Sequence, residues 1–173
     1  MVNRKSTKKY YFSAEGDTEE WYLKWLEGLI DESDEAAYRV SIDSQVNKDP
    51  LKRAKSLAIT SKVEIYHLSD YESDDPMHVK QFKETMNKMK SAMSLGKSIS
   101  YKFGYSNLTF DLWIILHKID CYSSIAYRKN YISFINKAFG ETFESMEEYK
   151  HEKNFRRCLG KMDLNDVKNA KVS

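Results

Sequence analysis

Two cysteines, two prolines, six glycines and four histidines are spread thinly through 173 residues. Two cysteines cannot build a disulfide framework, which points to a reducing, cytoplasmic setting. Neither stands in a Cys-x-x-Cys pair, and the histidines show no zinc-ligand spacing. So little glycine and proline excludes collagen-like, linker-like and largely disordered chains. The longest strongly apolar run, residues 112–116, falls far short of the ~20 residues a membrane helix needs, so no membrane association is expected. The opening Met1-Val2-Asn3-Arg4-Lys5 has no apolar core of a secretory signal. No internal repeat, low-complexity tract or glycine-rich phosphate loop is present.

What is present suits a folded globular chain. Hydrophobic residues make up 41% and charged residues 31%, and a chain of this length buries about 70% of its unfolded surface. The net charge of +2 says little about partners, but its distribution says more. Residues 15–36 hold nine acids against one base, Lys24; residues 80–102 hold six lysines against Glu84; residues 150–161 hold five bases against Glu152. An acidic centre in basic surroundings is the layout of a metal-holding enzyme that grips a phosphate backbone. Solvated helix faces account for any single run as well.

Strand and helix patterns alternate. Residues 8–14 are short and aromatic-rich and read as a strand. Asp17, with Glu20 three residues on, reads as a capping box before a helix carrying Trp21, Tyr22, Trp25, Leu26, Leu29 and Ile30 on one stripe. Tyr38, Val40 and Ile42 alternate as a second strand. Asp49-Pro50 is a cap with proline in the first turn, opening a second helix. Residues 63–70 are apolar on both faces and read as an interior strand. Asp75-Pro76 opens a third helix with a Met86, Met89, Met93 row, and Gly96 is the expected stop. Ile99, Tyr101 and Phe103 form a fourth strand. A buried helix follows from about Phe110 to Lys118, capped by Asn107 or Thr109. Another spans residues 131–139 to Gly140, and Ser145-x-x-Glu148 is a further capping box. After Glu148 the pattern weakens, and residues 163–173 look like the start of a helix. The expectation is an α/β fold: a mainly parallel four-stranded sheet flanked by helices over residues 1–122, with residues 123–173 as a helical C-terminal extension of the same domain.

In open parallel sheets, function gathers beyond the carboxyl ends of the strands. Strand one ends in Ala14-Glu15-Gly16-Asp17-Thr18-Glu19 and strand three in Ser69-Asp70-Tyr71-Glu72. If the two strands are neighbours, Glu15 and Asp70 converge on one crevice, and Asp70 and Glu72 point to one side. Clustered carboxylates without cysteine or histidine suit Mg²⁺ or Mn²⁺ and, through it, phosphoryl chemistry. Asp17, Glu20, Asp74 and Asp75 read more simply as helix caps. His117 on its apolar helix reads as a hydrogen-bonded core residue, and Arg156, Arg157 and Lys161 serve a solvated face as readily as a phosphate.

Three segments then occur in order: Ala14-Glu15-Gly16 with Thr18-Glu19, Asp70-x-Glu72, and Ser106-Asn107-Leu108-Thr109-Phe110-Asp111-Leu112-Trp113-Ile114-Ile115-Leu116-His117. Together they resemble the RloB-like family of phage-defence, abortive-infection proteins, whose pattern has Cys-Glu-Gly, Asp-Arg-Asp and Ser-Asn-Pro-x-Phe-Glu-Leu-Trp-Leu-Leu-His. That family is similar in turn to the Toprim fold of primases, topoisomerases and OLD-type nucleases. Four departures stand out: Ala14 for Cys, Leu108 for Pro, Asp111 for Glu, and Asp70-x-Glu72 for the Asp-x-Asp pair.

The resemblance implies a Toprim-like domain in which Glu15 serves as general acid/base and Asp70 and Glu72 form the metal-binding pair. Glu19 and Asp111 are further carboxylates for Mg²⁺ or Mn²⁺, and Lys102, His117 or Lys118 would orient a phosphate of the nucleic acid. The leading expectation is a metal-dependent nuclease subunit of an anti-phage system. The alternative is a non-catalytic sensor or regulatory subunit that binds a partner ATPase encoded nearby; a homo-oligomer is kept as a further candidate assembly. A ligase- or primase-like phosphotransferase on the same fold is a third reading.

Overall fold

The computed structural model describes residues 5–71, 73–107, 109–120 and 128–170. Glu72 and Leu108, on which two of the sequence expectations rest, lie outside the described residues. The chain divides into two compact units, Met1–Tyr105 and Ser106–Ser173.

The first unit alternates strand and helix: β1 (Thr7–Ala14), α1 (Asp17–Asp31), β2 (Arg39–Val46), α2 (Pro50–Ser56), β3 (Val63–Tyr71) and α3 (Pro76–Met93), with β4 (Ile99–Asn107) running past its end. The four strands form one all-parallel sheet in the order β2-β1-β3-β4. β3 is interior, as its two apolar faces require. Ala14 pairs with Val46 on one side and Leu68 on the other, so Glu15 stands one step beyond, level with Ser69.

Local chemistry explains most boundaries. Asp49 Oδ1 accepts from the Leu51 and Lys52 N–H groups at 3.0 and 3.1 Å, and Asp75 Oδ1 accepts from Met77 N–H at 2.8 Å. Each aspartate stands before a proline in the first turn, the arrangement read from the sequence. The expected capping box at Asp17 does not form. Gly16 is the extended N-cap, and Asp17 is the first residue inside α1. There Asp17, Glu19 and Glu20 put negative charge on the positive end of the helix dipole. α3 ends at Met93, three residues before Gly96, whose φ of 74° serves the turn beyond.

Ala54 and Leu57 from the second helix segment, with Met89 and Ala92 from α3, bury one face of the sheet against Ile65, Ile99 and Tyr101. Of the methionine row, Met89 is buried and Met86 partly so, whereas Met93 is exposed. α1 packs along β1 and β2. Its Asp31 and Glu27 carboxylates accept from the Val40 and Ile42 N–H groups, both at 2.9 Å, which blunts the free edge of β2. Arg53, buried on α2, donates to Phe12 O, Asp43 O and Asp43 Oδ1, tying together the carboxyl halves of β1 and β2.

The second unit is helical: α4 (Asp111–Leu116), a 3₁₀ turn (Arg128–Asn130), α5 (Tyr131–Phe139), α6 (Met146–Tyr149), α7 (Glu152–Leu159) and α8 (Leu164–Ala170). Its core holds Ile114, Ile115, Tyr131, Ile135, Tyr149, Phe155 and Leu159. Gly140 closes α5 in the left-handed conformation, φ 62°, as expected of a glycine stop. Ser145 Oγ accepts from Glu148 N–H at 3.1 Å, but Glu148 Oε2 accepts from Glu144 N–H, one residue beyond the Ser145 N–H that a full capping box would use. α7 falls where the sequence pattern had weakened.

Candidate functional site

The sheet order makes β1 the switch point: the chain moves to β2 on one side and to β3 on the other. Beyond the carboxyl ends of these strands lies a cleft of about 280 Å³, entirely within the first unit. Glu15 enters it from just past the end of β1, Asp70 from the second-last position of β3, and Lys48 from the segment after β2. One face of α3 completes it with His78, Gln81, Phe82, Thr85 and Lys88. Glu15 Oε2 accepts from Asp70 N–H at 3.2 Å, so the two acids, 55 positions apart in the chain, meet at adjoining strand ends.

Gly16 sets the path of the chain behind Glu15. A Cβ there would stand 3.0 Å from Glu19 Oε2, so the missing side chain makes room for the Glu19 carboxylate. Glu19 is itself buried, accepts from Thr18 Oγ1 at 2.9 Å, and is not among the cleft residues.

Cations flank the acids. Lys48 is exposed and makes no hydrogen bond or ion pair among the described residues. Lys88 Nζ lies 3.0 Å from Asp49 Oδ2. Burial works against ionisation of Asp49, but the Lys88 ammonium and the Lys52 and Leu51 N–H groups outweigh it and hold the carboxyl below its ordinary range. His78 Nδ1 shares a proton with Ser73 Oγ at 2.7 Å.

A buried polar layer supports the strand ends. Ser13 Oγ and His67 Nδ1 are 2.6 Å apart across β1 and β3, both fully buried. Burial drives the His67 imidazole down to about 4, so it is neutral, and its Nε2 has no partner among the described residues. Tyr101 donates to Pro50 O at 2.7 Å, and burial pushes its hydroxyl up to about 12.

The other sequence candidates occupy different settings. Glu72 lies outside the described residues. Lys102 pairs with Glu64 at 3.6 Å and does not line the cleft. Asp111, His117 and Lys118 belong to the second unit. Asp111 is fully buried, with Oδ2 accepting from Thr109 Oγ1 at 2.8 Å and lying 3.0 Å from Lys150 Nζ. His117 Nδ1 is 2.7 Å from Trp113 O, and burial holds its imidazole below the usual value. Lys118 pairs with Asp166 at 2.9 Å. Arg156 is engaged by Glu152, and Arg157 and Lys161 by Glu141, whose carboxyl these two cations hold down at about 2.

Sequence reasoning passed over Lys48, His78, Gln81, Thr85 and Lys88. A signal was there: residues 78, 81, 85 and 88 recur at steps of three and four, which is one face of a helix.

Among the described residues, no group of three or more His, Cys, Asp and Glu side chains could hold a metal ion. Three carboxylates line the cleft: Glu15 and Asp70 at the strand ends, and Glu84 on α3, which pairs with Lys80 at 3.9 Å and leaves the strand-end two as the candidate donors. That set fits Mg²⁺, which takes one or two carboxylates and completes its shell with water and phosphate oxygens. No curated protein and no solved structure matches the chain. Residues 10–171 match the family model described as RloB-like protein, and with a match over nearly its whole length the chain belongs to the RloB-like family.

Proposed function

We propose that the cleft is a metal-dependent phosphodiesterase centre acting on nucleic acid, in a Toprim-like domain that serves anti-phage defence. The observation that carries this reading is that Glu15 Oε2 reaches the Asp70 backbone N–H at 3.2 Å and both acidic residues line one cleft at neighbouring strand ends, a cleft that also presents Lys48 and Lys88. Membership in the RloB-like family and the all-parallel α/β sheet support the Toprim-like assignment and the defence role.

Glu15 and Asp70 would hold Mg²⁺ or Mn²⁺, with Glu72 two residues beyond Asp70 as the candidate third carboxylate. Such an ion, when bound, supplies a lowered pKa for water and charge stabilisation for the transferring phosphoryl group. The chain's own residues do the rest. Lys48, with no partner among the described residues, draws in a phosphate and fixes its register. Lys88 is held by Asp49, so its ammonium is positioned before substrate arrives. The Asp70 N–H holds Glu15 Oε2, which leaves Oε1 available as an acid/base group. Glu19 and Asp111 act as structural carboxylates in this account.

The test is cleavage of labelled DNA and RNA by the full chain with Mg²⁺, Mn²⁺ or EDTA. Divalent-dependent cleavage, abolished by Glu15→Gln and by Asp70→Asn in proteins that melt like the wild type, is expected. Robust cleavage by either variant removes that residue from the mechanism.

A further inference from the structure

The cleft continues into a surface that phosphodiester chemistry alone does not call for. Tyr71 and Phe82 both line it. Their rings pack edge to face at 5.2 Å, and Phe82 goes on to Phe103 at 5.2 Å and Tyr105 at 5.8 Å. Phe103 and Tyr105 stack at 5.7 Å with 24° between their planes. Along β4 the rings at 101, 103 and 105 share one face, and exposure rises toward the carboxyl edge: Tyr101 is 8% exposed, Phe103 half-buried and Tyr105 62% exposed. Tyr71 is fixed from its far end, its hydroxyl donating to Asp74 Oδ1 at 2.8 Å.

A large ring exposed to that degree gains nothing from burial in the fold. Here it is braced by two further rings and joined to the acid cleft by Tyr71 and Phe82, whereas the exposed cation Lys48 enters after β2, on the other side of β1. Cations on one flank and open aromatic rings on the other are the two components of single-strand recognition: phosphates meet the charge, and unstacked bases lie on the rings. A duplex keeps its base faces stacked internally and cannot offer them to Tyr105.

We infer that the Tyr71–Phe82–Phe103–Tyr105 cluster is a base-stacking ledge, and that the substrate at the neighbouring carboxylates is single-stranded nucleic acid. This rests on the nuclease reading for what happens at Glu15 and Asp70, while strand preference in binding is a property of the ledge. The rings set where the strand lies and are positioning residues; none reaches the phosphodiester.

The experiment is fluorescence anisotropy with the full chain in EDTA, where cleavage cannot interfere. The probes are labelled oligothymidine and the duplex it forms with oligoadenosine. Tighter binding of the single strand is expected. Tyr105→Ala should weaken single-strand binding about 5- to 100-fold, the loss of one stacked base, and leave duplex binding unchanged. Tyr105→Phe keeps the ring and should bind within about twofold of the wild type. Equal affinity for single strand and duplex, or an unaltered Tyr105→Ala variant, overturns the ledge. Failure of the nuclease reading is visible separately, as absence of divalent-dependent cleavage from a protein that still discriminates between strands.

Discussion

Lowering the pH should loosen the strand ends that carry the acids, and His67 sets the size of the effect. Its imidazole is fully buried between β1 and β3, one alternation before Ser69, with Ser13 Oγ on Nδ1 and no partner for Nε2 among the described residues. Burial lowers it from 6.5 to about 4, and the Asp49 charge only partly offsets this. The unfolded chain therefore binds a proton near pH 6.5 that the folded chain refuses until about pH 4. Stability from this group is complete above pH 6.5 and is lost as pH falls toward 4, by about 3 kcal/mol across the window. At pH 5 the loss is about 2 kcal/mol. Urea denaturation of the wild type and of His67→Leu at pH 7 and pH 5, followed by circular dichroism, isolates the effect. His67→Leu is less stable at pH 7 because Ser13 loses its partner, but its stability should fall less between the two pH values. The difference in slope belongs to His67, since His117, also buried below its usual pKa, titrates in both proteins. Equal slopes would show that the His67 imidazole is not held neutral by the fold, and the reasoning would fail.

Three further outcomes follow from the geometry. Gly16→Ala sets a Cβ at 3.0 Å from Glu19 Oε2 on a backbone, φ −144°, that any residue adopts, so the cost is steric: about 1 kcal/mol in a denaturation curve, and on the proposed reading divalent-dependent cleavage falls further because Glu15 is the adjoining residue. Lys48→Ala should weaken oligonucleotide binding regardless of sequence and reduce the slope of log K against log salt by about 0.7 to 0.9, measured by anisotropy in EDTA; an unchanged slope removes Lys48 from phosphate contact. Asp111→Ala strips Lys150 and Thr109 of their shared acceptor inside the second unit and should cost about 3 kcal/mol by thermal denaturation, whereas a loss within about 0.5 kcal/mol would mark it as an ordinary surface-like position.

Much of the first unit is legible in the sequence because its signals are local. A short aromatic-rich run marks β1, period-two runs mark β2, β3 and β4, Asp49-Pro50 and Asp75-Pro76 mark helix starts, and strand–helix alternation implies a parallel sheet. The meeting of Glu15 and Asp70 follows from that topology once β1 and β3 are neighbours. What escaped is non-local or short. Asp17 passes for a cap because Gly16, with no side chain to bond, leaves no signature of its own as the N-cap. α7 is eight residues long and buries only Phe155, Cys158 and Leu159 among charges, too few for a clear stripe. The α3 face that lines the cleft is polar, and His78, Gln81, Thr85 and Lys88 read like any solvated helix surface until the strand ends are set beside them. The Asp111–Lys150 pair joins α4 to the end of α6, a contact no spacing rule announces.

The most direct measurement is a crystal structure of the full chain soaked in Mn²⁺, read by anomalous scattering. The account predicts a single strong peak in the cleft with Glu15 and Asp70 carboxylate oxygens as ligands, lost in a Glu15→Gln, Asp70→Asn double variant. A cleft with no peak at Mn²⁺ concentrations that support cleavage, or a peak coordinated by other side chains, would contradict it.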